Sequence, residues 1–237
     1  LGKQVIVDNR AGAGSVVGTE IAANAPKDGY TLLLASLSHA VNPWLYDLKG
    51  RYHAIQSFAP VSPIAASPIV LVVNPSLAAQ SVADLVSLAR KQPGKLQYAS
   101  AGVGSVTHLA AALFLHTAKA DILHVPFKGA GAATLDVMAG HTNLMFGGLL
   151  ATVPQVRSGK LRALGITTTK RVPSLPDMPT VAESLPGFQM SSWYGLLGPA
   201  GIPAPVVNKI NADLRRFVEL ADIRDRLLKD EIGRAHV

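Results

Sequence analysis

The chain has 237 residues, of which 49% are apolar and 16% charged, enough to bury one large α/β core or the cores of two lobes of about 100 residues each. The net charge of +7 favours an anionic partner. Acidic residues interrupt the most basic stretch, 215–229, at helical spacing, however, which is typical of a solvated helix face and argues against a nucleic-acid partner. The absence of cysteine excludes disulfides and thiolate sites, and no apolar run reaches the roughly 20 residues of a transmembrane helix.

Strands alternate with helices along the chain. The apolar run at 5–8 predicts a first strand, a glycine loop joins it to a helix at 16–22, and the run at 32–35 predicts the next strand. We read 42–59 as irregular with one helical turn. Further strands are predicted at 69–73, 96–100, 122–126, 144–146, 161–167 and 192–197, and helices at 81–92, 106–117, 132–139, 153–158 and 205–229. This rhythm predicts a mostly parallel α/β sheet.

Three glycine loops follow predicted strands and open predicted helices, at 12–15, 102–105 and 128–131. Such a junction directs unpaired backbone N–H groups and the positive end of a helix toward one point, which suits an anion. A single loop of this kind is often only a tight turn, but three in one chain favour an anion-binding site.

The first loop also fits a loose dinucleotide pattern through Gly12, Gly14 and Gly18. A dinucleotide site needs an acidic residue near the end of the following strand to hold the ribose. That strand ends at Ser36, and the nearest acid beyond it is Asp47, so the sequence disfavours a nucleotide.

Ser105 and His108 lie one helical turn apart and could suggest a nucleophile and a base. No nucleophile elbow or oxyanion hole can be assembled around them, so His108 is interpreted as a hydrogen-bonding or core residue. Ser36, Ser38 and His39 end an apolar strand, where parallel sheets place their ligands. No histidine pair has metal-ligand spacing, and we expect neither a metal nor a cofactor.

Segments along nearly the whole chain carry a resemblance to a known family; they are 7–14, 26–34, 98–110, 124–129, 161–167, 175–183 and 193–201. They resemble the substrate-binding proteins of tripartite tricarboxylate transporters, the Bug-type periplasmic receptors. The resemblance implies a two-lobed, type II periplasmic-binding-protein-like fold with mostly parallel sheets and two crossing strands. We expect lobe 1 at 1–76 and 191–231 and lobe 2 at 77–190.

The function that this resemblance implies is capture of a small carboxylate (a dicarboxylate, an acidic amino acid or an aromatic acid) in an interlobe cleft, without catalysis. The receptor would act as a monomer in the periplasm and serve the membrane subunits of a transporter. The matching contact positions are Ala13, Gly14, Ser36, Ser38, Gly104, Ser105 and His108. A carboxylate sensor for a signalling partner, an α/β hydrolase and a nucleotide-dependent enzyme remain as alternatives.

The sequence also departs from the family pattern. We expect this sequence to lack the family's first strand with its Pro- and Gly-rich loop and the signal peptide, and to have a shortened C-terminal helix. We interpret 232–237 as a non-native tail. The usual acid after the Met-Phe strand is Gly147 here, which disfavours amino-acid ligands. Because loss of a central strand would leave an open sheet edge, we expect this chain alone to bind weakly and to aggregate.

Overall fold

The computed structural model describes residues 4–172, 175–229 and 233–234. Contacts divide the chain into two compact units: unit 1 comprises 1–66 and 193–237, and unit 2 comprises 67–192. The first of these boundaries differs from the predicted lobe boundary after residue 76, because it falls inside one long strand whose first half the sequence analysis did not recognise.

Helices and strands alternate as the sequence predicts. Within the described residues the helices are α1 (Val16–Ala23), α2 (Leu37–Leu45), α3 (Val82–Lys91), α4 (Val106–Ala118), α5 (Ala130–Ala139), α6 (Leu149–Arg157), α7 (Val181–Ser184), α8 (Ala204–Glu219) and α9 (Ala221–Lys229). The strands are β1 (Leu33–Ser36), β2 (Phe58–Val73), β3 (Gln97–Ser100), β4 (Leu123–Pro126), β5 (Leu144–Gly148), β6 (Arg162–Ile166), β7 (Ser191–Pro199) and β8 (Gly233–Arg234). None of the described helices is long and apolar enough to span a membrane.

Three local predictions were wrong. The apolar run at 5–8 forms no strand, and its side chains at Val5, Ile6 and Val7 are 74 to 82% exposed. The region 42–59 contains the expected helical turn, at the end of α2, but its last two residues already belong to β2, which begins at Phe58. The predicted helix at 205–229 is divided at Leu220 into α8 and α9.

Unit 1 contains β1, which pairs antiparallel with β7 from Leu33 opposite Leu197 to Ser36 opposite Tyr194. Helices α1 and α2 pack beside β1, and the buried core here includes Val16, Ala22, Tyr52 and Phe58. The short strand β8 pairs antiparallel with the first part of β2. Of the predicted tail at 232–237, residues 232 and 235–237 lie outside the described residues.

Unit 2 is a sheet covered on both faces. Strand β3 pairs in parallel with β4 and β5, and β2 pairs antiparallel with β5 and β6. The run Ile69–Val73 is almost fully buried, and its side chains alternate between two hydrophobic clusters, one on each face of the sheet. This double burial explains why the run is continuously apolar in the sequence.

The chain passes from unit 1 to unit 2 inside β2 and returns inside β7. The antiparallel pairs described above all include one of these two crossing strands, whereas the two pairs that β3 makes with β4 and β5 are parallel. This arrangement agrees with the α/β class and the two crossing strands that the sequence predicts.

Candidate functional site

The loop before α1 has an unusual backbone. Four consecutive residues, from Gly12 to Ser15, have positive φ angles of 137°, 43°, 58° and 80°. Two of them, Ala13 and Ser15, carry side chains, for which a left-handed conformation costs on the order of 1 kcal/mol each. A backbone in this strained state persists only where other contacts hold it, and such strain is concentrated at functional sites.

This loop leaves two hydrogen-bond donors without an acceptor. The N–H of Ser15 donates to the carbonyl of Gly12 at 3.0 Å, and that of Val16 donates to the carbonyl of Ala13. The N–H groups of Ala13 and Gly14 have no acceptor among the described residues. Together with the positive end of α1, they form an arrangement that can bind an anion.

The second predicted pair of residues, Ser36 and Ser38, lies at the start of α2, the helix that packs on this loop. Ser36 ends β1 and is also the N-cap of α2, and Ser38 is buried in the first turn. The helix packs on the turn at Ala13–Ser15, and the side-chain N–H of Asn42 donates to the carbonyl of Gly14 at 2.9 Å. Helix α2 therefore connects the end of β1 to the loop before α1.

His39, which the sequence analysis considered beside these serines, is a core residue. It is 8% exposed; its Nε2 lies 2.8 Å from the carbonyl oxygen of Ala54, and its ring packs against Tyr52 and Phe58. Burial lowers the pKa of His39, so the ring is neutral at physiological pH. It offers no charge to a ligand.

In unit 2 the three predicted residues form one hydrogen-bonded loop at the start of α4. Ser105 is the N-cap: its Oγ accepts from the N–H of His108 at 3.3 Å and donates to the carbonyl of Gly102 at 2.7 Å. The N–H of Gly104 donates to Nδ1 of His108 at 3.3 Å. These groups are thus engaged within the loop.

The free N–H donors at this junction belong to the two residues that follow Ser105. The N–H groups of Val106 and Thr107, in the first turn of α4, have no acceptor among the described residues. The first turn of any helix leaves such groups unpaired, and the helix dipole favours an anion there. Sequence reasoning selected this junction but missed these two amides.

His124 is a further residue that the sequence analysis did not place in the site. Its Nε2 lies 2.6 Å from Oγ of Ser100, and its ring stacks on Tyr98 and His108 with centroid distances of 4.7 and 4.4 Å. Burial, with a smaller contribution from His108, lowers the pKa of His124 to about 4, and burial also lowers the pKa of His108. Both imidazoles are therefore neutral at pH 7.

The third glycine loop lies beside the second. The N–H of Phe127 donates to the carbonyl of Ser100 at 2.9 Å, and a Cβ on Gly102 would lie 3.2 Å from the carbonyl oxygen of Phe127. Gly129, with φ of 120°, then opens α5. The two loops of unit 2 are neighbours because β3 and β4 are parallel neighbours.

Residues 1–235 of the 237-residue chain match the model of the tripartite tricarboxylate transporter family receptor. The protein belongs to this family. Among its relatives, the UPF0065 protein in the tcbD-tcbE intergenic region of Pseudomonas sp. (strain P51) is 38% identical over 229 residues, which are 96% of this chain and 68% of that protein. Protein BugT of Bordetella pertussis is 35% identical over 221 residues, covering 92% of this chain and 68% of BugT.

Solved structures of receptors agree with this assignment. Rpa4515 of R. palustris with adipate has a TM-score of 0.92 and 34% identity, covering 97% of this chain and 77% of that one. MatC from Rhodopseudomonas palustris with bound malate has a TM-score of 0.87 and 32% identity, covering 94% and 76%. The periplasmic binding protein BugD has a TM-score of 0.91 and 31% identity, covering 97% and 77%. The predicted family, fold class and general function of this receptor are confirmed.

The geometry of this receptor also bears on the enzymatic alternatives. The hydroxyl of Ser105 bonds to the backbone N–H of His108 and to the carbonyl of Gly102, while the ring of His108 accepts from Gly104, so the proposed nucleophile and base are not paired. The hydroxyl of Ser100 does lie within hydrogen-bonding distance of the ring of His124, but Ser100 is fully buried. Within the described residues, no group of three metal-ligating side chains could hold a metal ion.

Proposed function

We propose that this receptor captures a small dicarboxylate for a tripartite transporter. The observation that carries the proposal is the pair of unbonded N–H groups at Ala13 and Gly14, held in a strained turn at the positive end of α1. The bound ligands of two related structures, adipate and malate, are both dicarboxylates and support the same class.

Amide donors can supply a large part of the required affinity. Each hydrogen bond to a charged group contributes about 1.5 to 3 kcal/mol, so the two free donors of unit 1, at Ala13 and Gly14, can contribute about 3 to 6 kcal/mol, and Val106 and Thr107 of unit 2 offer the same to a carboxylate. Micromolar capture needs about 8 kcal/mol after the ordering costs of association are subtracted, so contacts to the rest of the ligand must supply the remainder. The neutral rings of His108 and His124 add hydrogen-bonding capacity but no charge at pH 7.

Each unit carries its own set of donors, and each set can bind a carboxylate. We assign Ala13, Gly14, Ser36 and Ser38 to the site of unit 1, where α2 packs on the turn before α1. In unit 2 we propose that Gly104, Ser105 and His108 shape the loop at the start of α4. The N–H groups of Val106 and Thr107 are the proposed donors to the ligand.

Further assignments concern the location, the oligomeric state and the chemistry of the receptor. We infer that the receptor works in the periplasm as a monomer, without cofactor, and delivers its ligand to the membrane subunits of the transporter. We also infer that it leaves the ligand chemically unchanged, since Ser105 and His108 are not arranged as nucleophile and base. The lobes expected at 1–76 with 191–231 and at 77–190 are proposed to correspond to units 1 and 2.

Position 106 allows one donor to be removed with little change to the backbone. Val106 is the first residue of α4, where proline is favoured, and the preceding Ser105 has φ −67° and ψ 156°, which a following proline tolerates. Val106→Pro deletes the N–H, and Val106→Ala shortens the side chain but keeps it. Comparison of the two variants therefore separates the effect of losing the N–H from the effect of changing side-chain packing at position 106.

The test is calorimetric titration of the two variants and the wild-type chain with adipate and malate, with adipamide as an uncharged control. We expect wild type and Val106→Ala to bind one of the acids but not adipamide, and Val106→Pro to bind it about tenfold or more weakly. Equal affinities of the two variants would reject Val106 as a donor. Failure of the wild-type chain to bind either acid, or NMR evidence that the acid is converted, would overturn the proposed function.

A further inference from the structure

Asn42 is buried at the back of the anion-binding turn in unit 1. Its side chain is 0% exposed, and it lies on α2, 28 residues from the turn in sequence. Its Nδ2 donates to the carbonyl of Gly14 at 2.9 Å, while its buried Oδ1 has no hydrogen-bond partner among the described residues. A buried amide that leaves one end unsatisfied is costly, and the bond that its other end makes to the turn offsets part of this cost.

The turn presents its carbonyls to the protein. That of Ala13 accepts from the N–H of Val16, that of Gly14 accepts from Asn42, and that of Ser15 accepts from Oγ1 of the buried Thr19 at 2.8 Å. In a trans peptide the carbonyl points opposite to the N–H of the next residue. The bond to the carbonyl of Ala13 therefore fixes the direction of the free N–H of Gly14, and the bond from Asn42 fixes the peptide whose N–H, that of Ser15, closes the turn on the carbonyl of Gly12.

Of these three bonds, only the one from Asn42 comes from a helix other than α1. The donors to the carbonyls of Ala13 and Ser15 both belong to α1, whereas Asn42 belongs to α2, whose N-cap residue is Ser36. The bond falls on Gly14, which lacks a side chain and can adopt many conformations at little cost. Without Asn42, the peptide between Gly14 and Ser15 would be held only by the bond from its own N–H, that of Ser15, to the carbonyl of Gly12, and could leave its strained orientation more easily.

We propose that Asn42 is a positioning residue of the receptor: it holds the peptide after Gly14 so that the turn stays ready to bind a carboxylate. This inference rests on the proposed function, because it concerns the same site. Asn42 acts through the turn and raises the fraction of molecules in the binding-competent conformation. Its loss is expected to weaken the apparent affinity in proportion to the fall in that fraction.

Tyr52 offers a matched control. It belongs to the same buried cluster as Val16, the first residue of α1, and its buried hydroxyl lies near Asn42 and Thr19 but forms no well-aligned hydrogen bond among the described residues. Tyr52→Phe therefore changes the polarity beside Asn42 without removing any bond to the turn. Asn42→Leu removes the amide at similar size, and Asn42→Ala removes it without adding bulk.

The experiment combines calorimetric titration with adipate and malate with ¹⁵N amide spectra of the free protein, recorded well below the unfolding temperature. We expect Asn42→Leu to bind about tenfold more weakly than wild type and to shift or broaden the amide signals of Gly14 and Ser15. Tyr52→Phe should keep the wild-type affinity within about twofold and leave those two signals in place. Asn42→Ala supplies the same readouts if the leucine variant does not fold.

The outcomes separate the two proposals. Folded Asn42 variants that bind within about twofold of wild type and leave the amide signals of Gly14 and Ser15 unchanged would overturn the role of Asn42 alone. A wild-type chain that binds neither acid would overturn the proposed function, and the amide spectra would then still decide whether Asn42 holds the turn. A loss of affinity that Tyr52→Phe reproduces would mean a general effect of the core and would also overturn the role of Asn42.

Discussion

Gly147 and Thr152 are expected to be strongly coupled in the stability of unit 2. Gly147 is in β5, opposite Val70, and a Cβ added there would lie 2.2 Å from Cγ2 of Thr152. Thr152 is fully buried on α6, and its Oγ1 donates to the carbonyl of Gly148 at 3.0 Å, which fixes the position of that methyl group. The methyl of Thr152 thus fills the space of a side chain at position 147.

The size of the effect follows from this distance. Carbon atoms pack best at about 3.5 to 4.0 Å, so Gly147→Ala creates an overlap of more than about 1 Å that the fixed Thr152 cannot easily relieve. We expect a destabilisation of about 1 to 3 kcal/mol, the usual cost of overpacking a core. Thr152→Ser removes only the offending methyl, retains the hydroxyl, and is expected to cost about 1 kcal/mol through lost burial.

In the double variant the methyl group introduced by Gly147→Ala occupies the space that Thr152→Ser has vacated. Its stability should therefore be close to that of Thr152→Ser alone, and the coupling energy should reach about 1 to 3 kcal/mol. Urea unfolding of the wild type, both single variants and the double variant measures this, provided that the m-values agree. Two single costs that simply add would refute the claim that this methyl and position 147 compete for one space.

Three further predictions concern caps and titrating groups. Ser105→Ala should lower the free energy of unfolding by about 1 kcal/mol, measured in urea, because α4 loses its N-cap; no change would mean that water replaces the cap. The bond from Arg171 and the N–H of Thr180 lower the pKa of Glu183 to about 2, so its stabilisation is present above the ordinary value of 4.5 and lost as the pH falls toward 2. Wild type should thus lose more stability than Glu183→Gln between about pH 5 and pH 3 in urea titrations, and equal losses would contradict this. The pKa of His124 is lowered from 6.5 to about 4, so stability should fall as the pH drops through this interval, and His124→Gln should lack this part of the pH dependence in the same assay.

The sequence predicted best those features that short-range chemistry determines. Ser81 and Ser105 cap α3 and α4 as expected, because a serine oxygen reaches an N–H only three residues away. Gly140 ends α5 with φ of 80°, the left-handed conformation that glycine adopts without steric cost. These signals need no knowledge of the rest of the chain.

Features that depend on a distant partner could not be predicted in the same way. The run at 5–8 has the composition of a strand, but no described strand pairs with it, and a strand without a partner leaves its backbone groups unbonded. The first half of β2 was missed because three prolines interrupt its pattern between 58 and 68. His124 becomes part of the site only through its register opposite Tyr98, which depends on the order of the strands.

Within the candidate site too, the sequence does not show which backbone N–H groups are free to bind a ligand. A glycine loop before a helix predicts where amide donors gather, and the loops at 12–15 and 102–105 are both such places. Which amides stay free depends on dihedral angles: the left-handed turn at Ala13 and Gly14 leaves their N–H groups unbonded, whereas the N–H of Gly104 turns back to the ring of His108. His108→Leu removes this acceptor together with the hydrogen-bonding capacity of the ring, so a folded variant should bind a dicarboxylate more weakly in calorimetric titration. An unchanged affinity would show that the ring contributes nothing to binding.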